Sequence, residues 1–246
     1  MDFTAALIAE NTAFAELLRE ADLSTPVPTC PGWTLEQLLR HVGRGERWCT
    51  AIVSQRATEM VDPRTVPGGK PPAEQSDKIA WLHEGIQALV SAVDQTGAHT
   101  TVWTFIGPKP ASWWIRRRAN EIAVHRADAA IALDVDFQID PELAADVITE
   151  WLERVVIQVD DALQVGQSLH LHATDPGLGV AEWTIHGGSD GITFGHEHGT
   201  GATTALRGPV RDLMLAIVRR RTASELDLEI FGDEAVWDTW LARTPF

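Results

Sequence analysis

Three side chains at helical spacing frame the chemistry open to this sequence. His41 lies on a stripe with Leu38, Gly45, Trp48 and Ile52. A polar ring on such an apolar stripe needs a partner. Glu121 and His125 stand four residues apart, one turn along a single helix face, and Asp128 continues that face. In helical bundles, metal sites are built from carboxylates and imidazoles that project inward from facing helices. His41, Glu121 and His125 together offer two nitrogens and one oxygen. That set suits a catalytic zinc, which takes three protein ligands and keeps a fourth position open. Non-haem iron and nickel accept the same donors. The plainer alternative stands beside it: a buried, hydrogen-bonded His41 and a solvated Glu121–His125 helix pair.

The remaining reactive residues carry weaker signals. His170 and His172 share one strand face, as do His196 and His198, and His186 lies between them in sequence. They read either as exposed strand histidines or as a second metal site. Two cysteines cannot make a disulfide framework; Cys30, in a Pro-Gly turn, reads as a reactive thiol or a small structural side chain, and Cys49 as a packed helix residue. Tyrosine is absent, and no nucleophile elbow, H-E-x-x-H, P-loop or G-x-G-x-x-G occurs. Arg116-Arg117-Arg118 and Arg219-Arg220-Arg221 are the two basic runs. They read as solvated helix faces or, beside an open metal, as holders of a substrate carboxylate, which guanidinium binds through two parallel bonds.

The elements that must position these groups follow from periodicity. Apolar residues recur at helical spacing over 3–21, and Pro26, Pro28, Pro31 and Gly32 then interrupt the pattern. Thr34 with Gln37 reads as a capping box opening a helix to about 55. Residues 57–72 hold four prolines and two glycines, a loop expected to be mobile or to act as a lid. Further helices are predicted over 73–95, 113–133 and 141–165, the last with Asp140 as cap and Pro141 at its first position. Beyond Gly166 the pattern changes to short strands at 168–174, 180–186, 192–194 and 203–206. A helix at 209–220, a strand at 226–231 and a helix at 233–243 close the chain. The expected architecture is a two-domain α+β protein. A helical bundle spans 1–165, and a small α+β domain with a short-stranded, mostly antiparallel sheet spans 166–246.

Composition narrows the function classes. Hydrophobic residues make up 44% and charged residues 22% of 246, which excludes a mostly disordered chain. Twenty basic against 35 acidic side chains leave a net charge of −15, which argues against nucleic acid and acidic membranes as partners. No apolar run approaches the ~20 residues of a membrane span. Asp2 stands where a secretion signal would be basic, so a reduced, cytoplasmic protein is expected.

Three segments carry a family resemblance. Val27-Pro28-Thr29-Cys30-Pro31-Gly32-Trp33-Thr34-Leu35, followed by Leu38-Leu39-Arg40-His41-Val42-Gly43, resembles the opening of the mycothiol-dependent maleylpyruvate isomerase N-terminal domain. That domain belongs to the DinB-like helical-bundle superfamily. Asn120-Glu121-Ile122-Ala123-Val124-His125-Arg126-Ala127-Asp128 resembles its second signature, and residues 203–213 resemble the family's C-terminal domain. The resemblance implies a DinB-like four-helix bundle with zinc, or another divalent metal, on His41, Glu121 and His125. It implies the thiol mycothiol as cosubstrate and a small electrophilic substrate. A metal-held thiolate would add to an activated alkene, the new single bond would rotate, and elimination would return the trans isomer. Thiol S-transfer to another electrophile and a non-catalytic metal- or ligand-binding bundle are the alternatives. Asp128 reads as a group orienting a ligand or as a surface acid. The family often has Gly-Arg at the end of the penultimate helix, with the arginine facing the site. Here the stretch is Val218-Arg219-Arg220-Arg221, so the catalytic arginine matches Arg220 and Arg219 stands where glycine is usual.

Overall fold

The computed structural model describes residues 1–244, and the chain divides into two compact units at Phe137/Gln138. The first unit holds α1 (Phe3–Leu18), α2 (Leu35–Ser54), α3 (Gln75–Thr96), and a minimal hairpin of β1 (Thr101–Val102) and β2 (Lys109–Pro110). It ends with α4 (Ser112–Ala132). α1 packs on α3 and α4, and α2 packs on the same two helices, so the four close into a bundle. α2 starts where the capping box predicts, with the Thr34 N–H donating to the Gln37 side chain at 2.8 Å. Two close approaches join α2 to α3. A Cβ on Gly43 would lie 2.0 Å from the Trp81 ring, and one on Gly85 would lie 2.3 Å from a Glu46 carboxylate oxygen. Arg126 of α4 grips Glu10 of α1 through two bonds of 2.6 and 3.0 Å. The 57–72 loop is tied down at two points. The Trp48 indole donates to the Val61 carbonyl at 2.7 Å and the Trp81 indole to that of Gly68 at 2.9 Å.

The second unit begins with α5 (Pro141–Gln158), capped by Asp140 as its sequence predicts, through bonds of 2.8 and 3.2 Å from the Glu142 and Leu143 N–H groups. It continues with β3 (Ser168–Ala173), β4 (Glu182–Gly188), β5 (Gly191–Gly195), β6 (Thr204–Gly208), α6 (Val210–Ile217), β7 (Glu229–Gly232) and α7 (Glu234–Arg243). The sheet order is β5-β4-β3-β6-β7, with β3 and β6 parallel and the other neighbours antiparallel. The mostly antiparallel expectation therefore holds, with one parallel pair at the centre. α5 packs on α6 and β5, and α6 packs on β3 and β6. Leu169, Leu171, Trp183, Ile185 and Leu206 are buried on this side of the sheet, and the Trp183 indole donates to Thr149 of α5 at 2.9 Å.

The two largest boundary differences from the sequence reading lie at the two ends of α5. α5 ends at Gln158 rather than near 165, because Val159 turns extended at φ −133°. Asp160 and Asp161 follow, and acids at a helix C-terminus oppose its dipole. The compact units divide at Phe137/Gln138 rather than at 165/166. The apolar face of α5 is committed to α6 and β5, a pairing its own periodicity does not reveal. Among the described residues no helix is long and apolar enough to cross a membrane.

Candidate metal centre

α2 and α4 bring His41, Glu121 and His125 together. His41 Nε2 lies 3.2 Å from Glu121 Oε1, and His125 Nε2 lies 4.0 Å from the same oxygen. The two imidazoles face each other edge to face at 5.0 Å between centroids. One donor atom from each residue lies within 4.8 Å of the others. His41 is not sunk in the core as its stripe suggests. Its side chain is 42% exposed, and the Trp33 ring lies 5.1 Å away. It opens on a cavity of about 420 Å³ lined by Trp33, Gln37, Arg40, Arg44 and Trp48.

Each buried member of the trio is held from behind. Asp128 is fully buried, and its Oδ2 lies 2.8 Å from His125 Nδ1. That bond sets the tautomer and turns the other ring nitrogen toward Glu121. The Thr29 hydroxyl donates to Asp128 Oδ1 at 2.5 Å, and the Cys30 thiol reaches Oδ2 at 3.6 Å. Cys30, His125 and Asp128 thus form a further trio of potential ligands, which shares His125. Burial disfavours the charged form of His125 and outweighs the Asp128 carboxylate, so its pKa lies below the usual imidazole value. A neutral imidazole keeps the lone pair that a metal needs.

Glu121 is the reverse case. Burial opposes its ionisation, yet the guanidiniums of Arg118 and Arg117 and the His41 hydrogen bond hold it well below the usual carboxylate range. Arg118 Nη1 lies 2.8 Å from Oε1 and Arg117 Nη2 2.9 Å from Oε2. Of the first basic run, Arg117 and Arg118 are buried supports for Glu121 rather than a solvated face. A carboxylate oxygen has two lone pairs, so Oε1 can accept from Arg118 and still bind a cation. The donor set therefore fits a divalent metal.

Sequence reasoning did not single out Arg40 and Arg44. They line both the cavity beside His41 and an adjoining one of about 580 Å³, where Arg64 and Lys70 join them. Four cations around one opening form a local positive mouth on an acidic chain. Their signal was present in the sequence: Arg40 precedes His41, and Arg44 lies one turn beyond Arg40. Thr29 and Cys30 stood in the sequence as part of a turn and of the first resembling segment, with no sign of their contact with Asp128. Cys49 is buried in α2, and burial pushes its thiol up to about 12, which leaves it protonated and unreactive.

Arg220 belongs to the second unit and is 8% exposed there. Its Nη1 donates to the Val218 carbonyl at 2.7 Å, and with its neighbours it lines a cavity of about 480 Å³. Arg219 has φ +58°, the left-handed conformation that glycine adopts most easily.

The family profile described as "Mycothiol maleylpyruvate isomerase N-terminal domain" matches residues 4–130. The profile of the corresponding C-terminal domain matches residues 142–239. Two uncharacterised proteins, from two strains of Mycobacterium tuberculosis, are each 31% identical over 137 residues, which is 54% of this chain and 69% of theirs. Crystal structures of a mycothiol-dependent maleylpyruvate isomerase and of its histidine-to-alanine mutant share the fold. Each gives a TM-score of 0.57 at 15% identity, covering 93% of this chain and 92% of theirs.

Proposed function

Because the chain belongs to the mycothiol maleylpyruvate isomerase family, we propose that it is a metal-dependent enzyme using mycothiol as nucleophile toward a small anionic electrophile, with cis–trans isomerisation as its reaction. The observation that carries this reading is the convergence of His41, Glu121 and His125 on one point beside an open cavity. Zinc or another divalent ion held there would keep one position open and favour the thiolate form of a bound thiol at neutral pH.

The chain's own residues do the rest. Asp128 fixes the His125 ring, and Arg117 and Arg118 fix and ionise Glu121, so both ligands are oriented before anything binds. Arg40 and Arg44 give the mouth a positive potential that draws a carboxylate-bearing substrate against the field of the whole chain. Trp33 and Trp48 supply apolar wall for its carbon skeleton. Arg220 is proposed as the arginine that binds substrate, on the family motif.

The test joins metal content to turnover. Elemental analysis of wild type beside His41→Ala is expected to show one zinc equivalent lost per chain. Maleylpyruvate is expected to isomerise only when mycothiol is present, with the thiol recovered unchanged. Net consumption of thiol would point to S-transfer instead. Equal metal content in the two proteins would overturn the metal assignment.

A further inference from the structure

The second unit carries another group of metal-ligating side chains, which the proposed reaction does not use. Successive residues of a strand face opposite sides, so Leu169 and Leu171 of β3 enter the core under α6, and His170 and His172 occupy the other face. In the antiparallel register His172 lies opposite Glu182 and His170 opposite Thr184, which sets Glu182 between the two imidazoles. The segment after β5 crosses this face and adds His198. Glu182 Oε2 lies 3.0 Å from His170 Nε2 and 2.7 Å from His198 Nδ1, and Oε1 lies 3.6 Å from His172 Nδ1.

We propose that His170, His172, Glu182 and His198 form a second divalent-metal site, with zinc as its occupant. One donor atom from each of the four lies within 4.8 Å of all the others. The three rings stand 5.4, 5.8 and 6.0 Å apart and are mutually near perpendicular, at 85°, 82° and 83°. Rings this close, each with a nitrogen inside the same small volume, can share one ion. Three imidazole nitrogens and one carboxylate oxygen suit zinc, cobalt or nickel. The set is a poor match for calcium or magnesium, which take oxygen.

The crossing segment is fitted to this face. The Thr184 hydroxyl donates to the Glu197 carbonyl at 2.8 Å, and His196 Nδ1 lies 3.1 Å from the Glu182 carbonyl. A Cβ on Gly199 would lie 2.8 Å from both His170 Cγ and Thr184 Oγ1, so the backbone comes this close only because residue 199 is glycine. His198, with its side chain 61% exposed, leaves an entry path for an ion from solvent. Four protein ligands complete a tetrahedral shell, so the ion's role is structural: it would clip the crossing segment to β3 and β4.

Metal stoichiometry separates this site from the first. Zinc is measured after dialysis in wild type, His41→Ala, His198→Ala, Glu182→Gln and the His41→Ala/His198→Ala double variant. His198 lies on the surface and Glu182→Gln keeps the side-chain shape, so both variants test the site without disturbing the core. Two zinc equivalents are expected in wild type, one in each single variant and none in the double variant. If the first site binds no metal, wild type and His41→Ala each hold one equivalent, and His198→Ala and Glu182→Gln hold none. Cobalt loaded into His41→Ala should give the visible bands of tetrahedral coordination, absent from the double variant. Zinc content unchanged by both His198→Ala and Glu182→Gln would overturn the proposal.

Discussion

Replacing Glu46 by glutamine should change how the stability of this protein depends on pH. Glu46 sits on α2 with no exposed surface, and neither carboxylate oxygen has a hydrogen-bond partner among the described residues. Burial pushes its carboxyl up to about 8 from 4.5, with Arg118 and Arg47 opposing the rise and Glu121 adding to it. The folded state thus holds this proton over a window in which the unfolded chain releases it. The contribution to stability is fully present below the unfolded value of 4.5 and is lost as pH rises through the folded value of about 8. At ~1.36 kcal/mol per unit, the loss between pH 5.5 and pH 8 is about 3 kcal/mol. Glutamine has nearly the same shape and no proton to lose. Any difference in how its amide packs does not depend on pH. The stability of Glu46→Gln relative to wild type should therefore grow by about 3 kcal/mol from pH 5.5 to pH 8. Denaturant unfolding at the two pH values, with chelator present so that metal does not contribute, measures this gap. Parallel pH dependences for the two proteins would refute the reasoning.

Three further outcomes are expected. Asp128→Asn removes the carboxylate that orients His125 and should weaken zinc binding at the first site roughly 10–100-fold, read by competition with a chromophoric chelator; unchanged affinity would remove Asp128 from that role. Arg219→Gly relieves a left-handed backbone and should raise stability by about 0.5–1 kcal/mol, read by denaturant midpoint, with a loss arguing that its bond to the Leu241 carbonyl matters more. Arg220→Ala should raise KM for an anionic substrate with kcat little changed, and an unaltered KM would detach Arg220 from substrate binding.

Much of the local structure was legible because it depends on neighbours in sequence. The Thr34–Gln37 box and the Asp140-Pro141 cap start helices where their chemistry dictates. The i, i+4 spacing of Glu121 and His125 places both on one face of α4 in any fold that keeps the helix. The alternation after Gly166 put His170 and His172 on one side of a strand.

What surrounds those groups was decided by tertiary structure. Periodicity alone does not say which helix α5 covers, so the boundary between units fell elsewhere. Arg117 and Arg118 resemble any exposed basic run until the bundle buries them beside Glu121. Asp128 resembles a surface acid until the turn at Thr29 and Cys30 closes over it, 99 and 98 residues away in sequence. His198 joins His170, His172 and Glu182 only because the segment after β5 lies back on the sheet. Residue types and local spacing determined which groups can bind a metal. Their convergence, and the burial that sets their charge, required the chain to bring distant segments within a few ångströms and exclude water from between them.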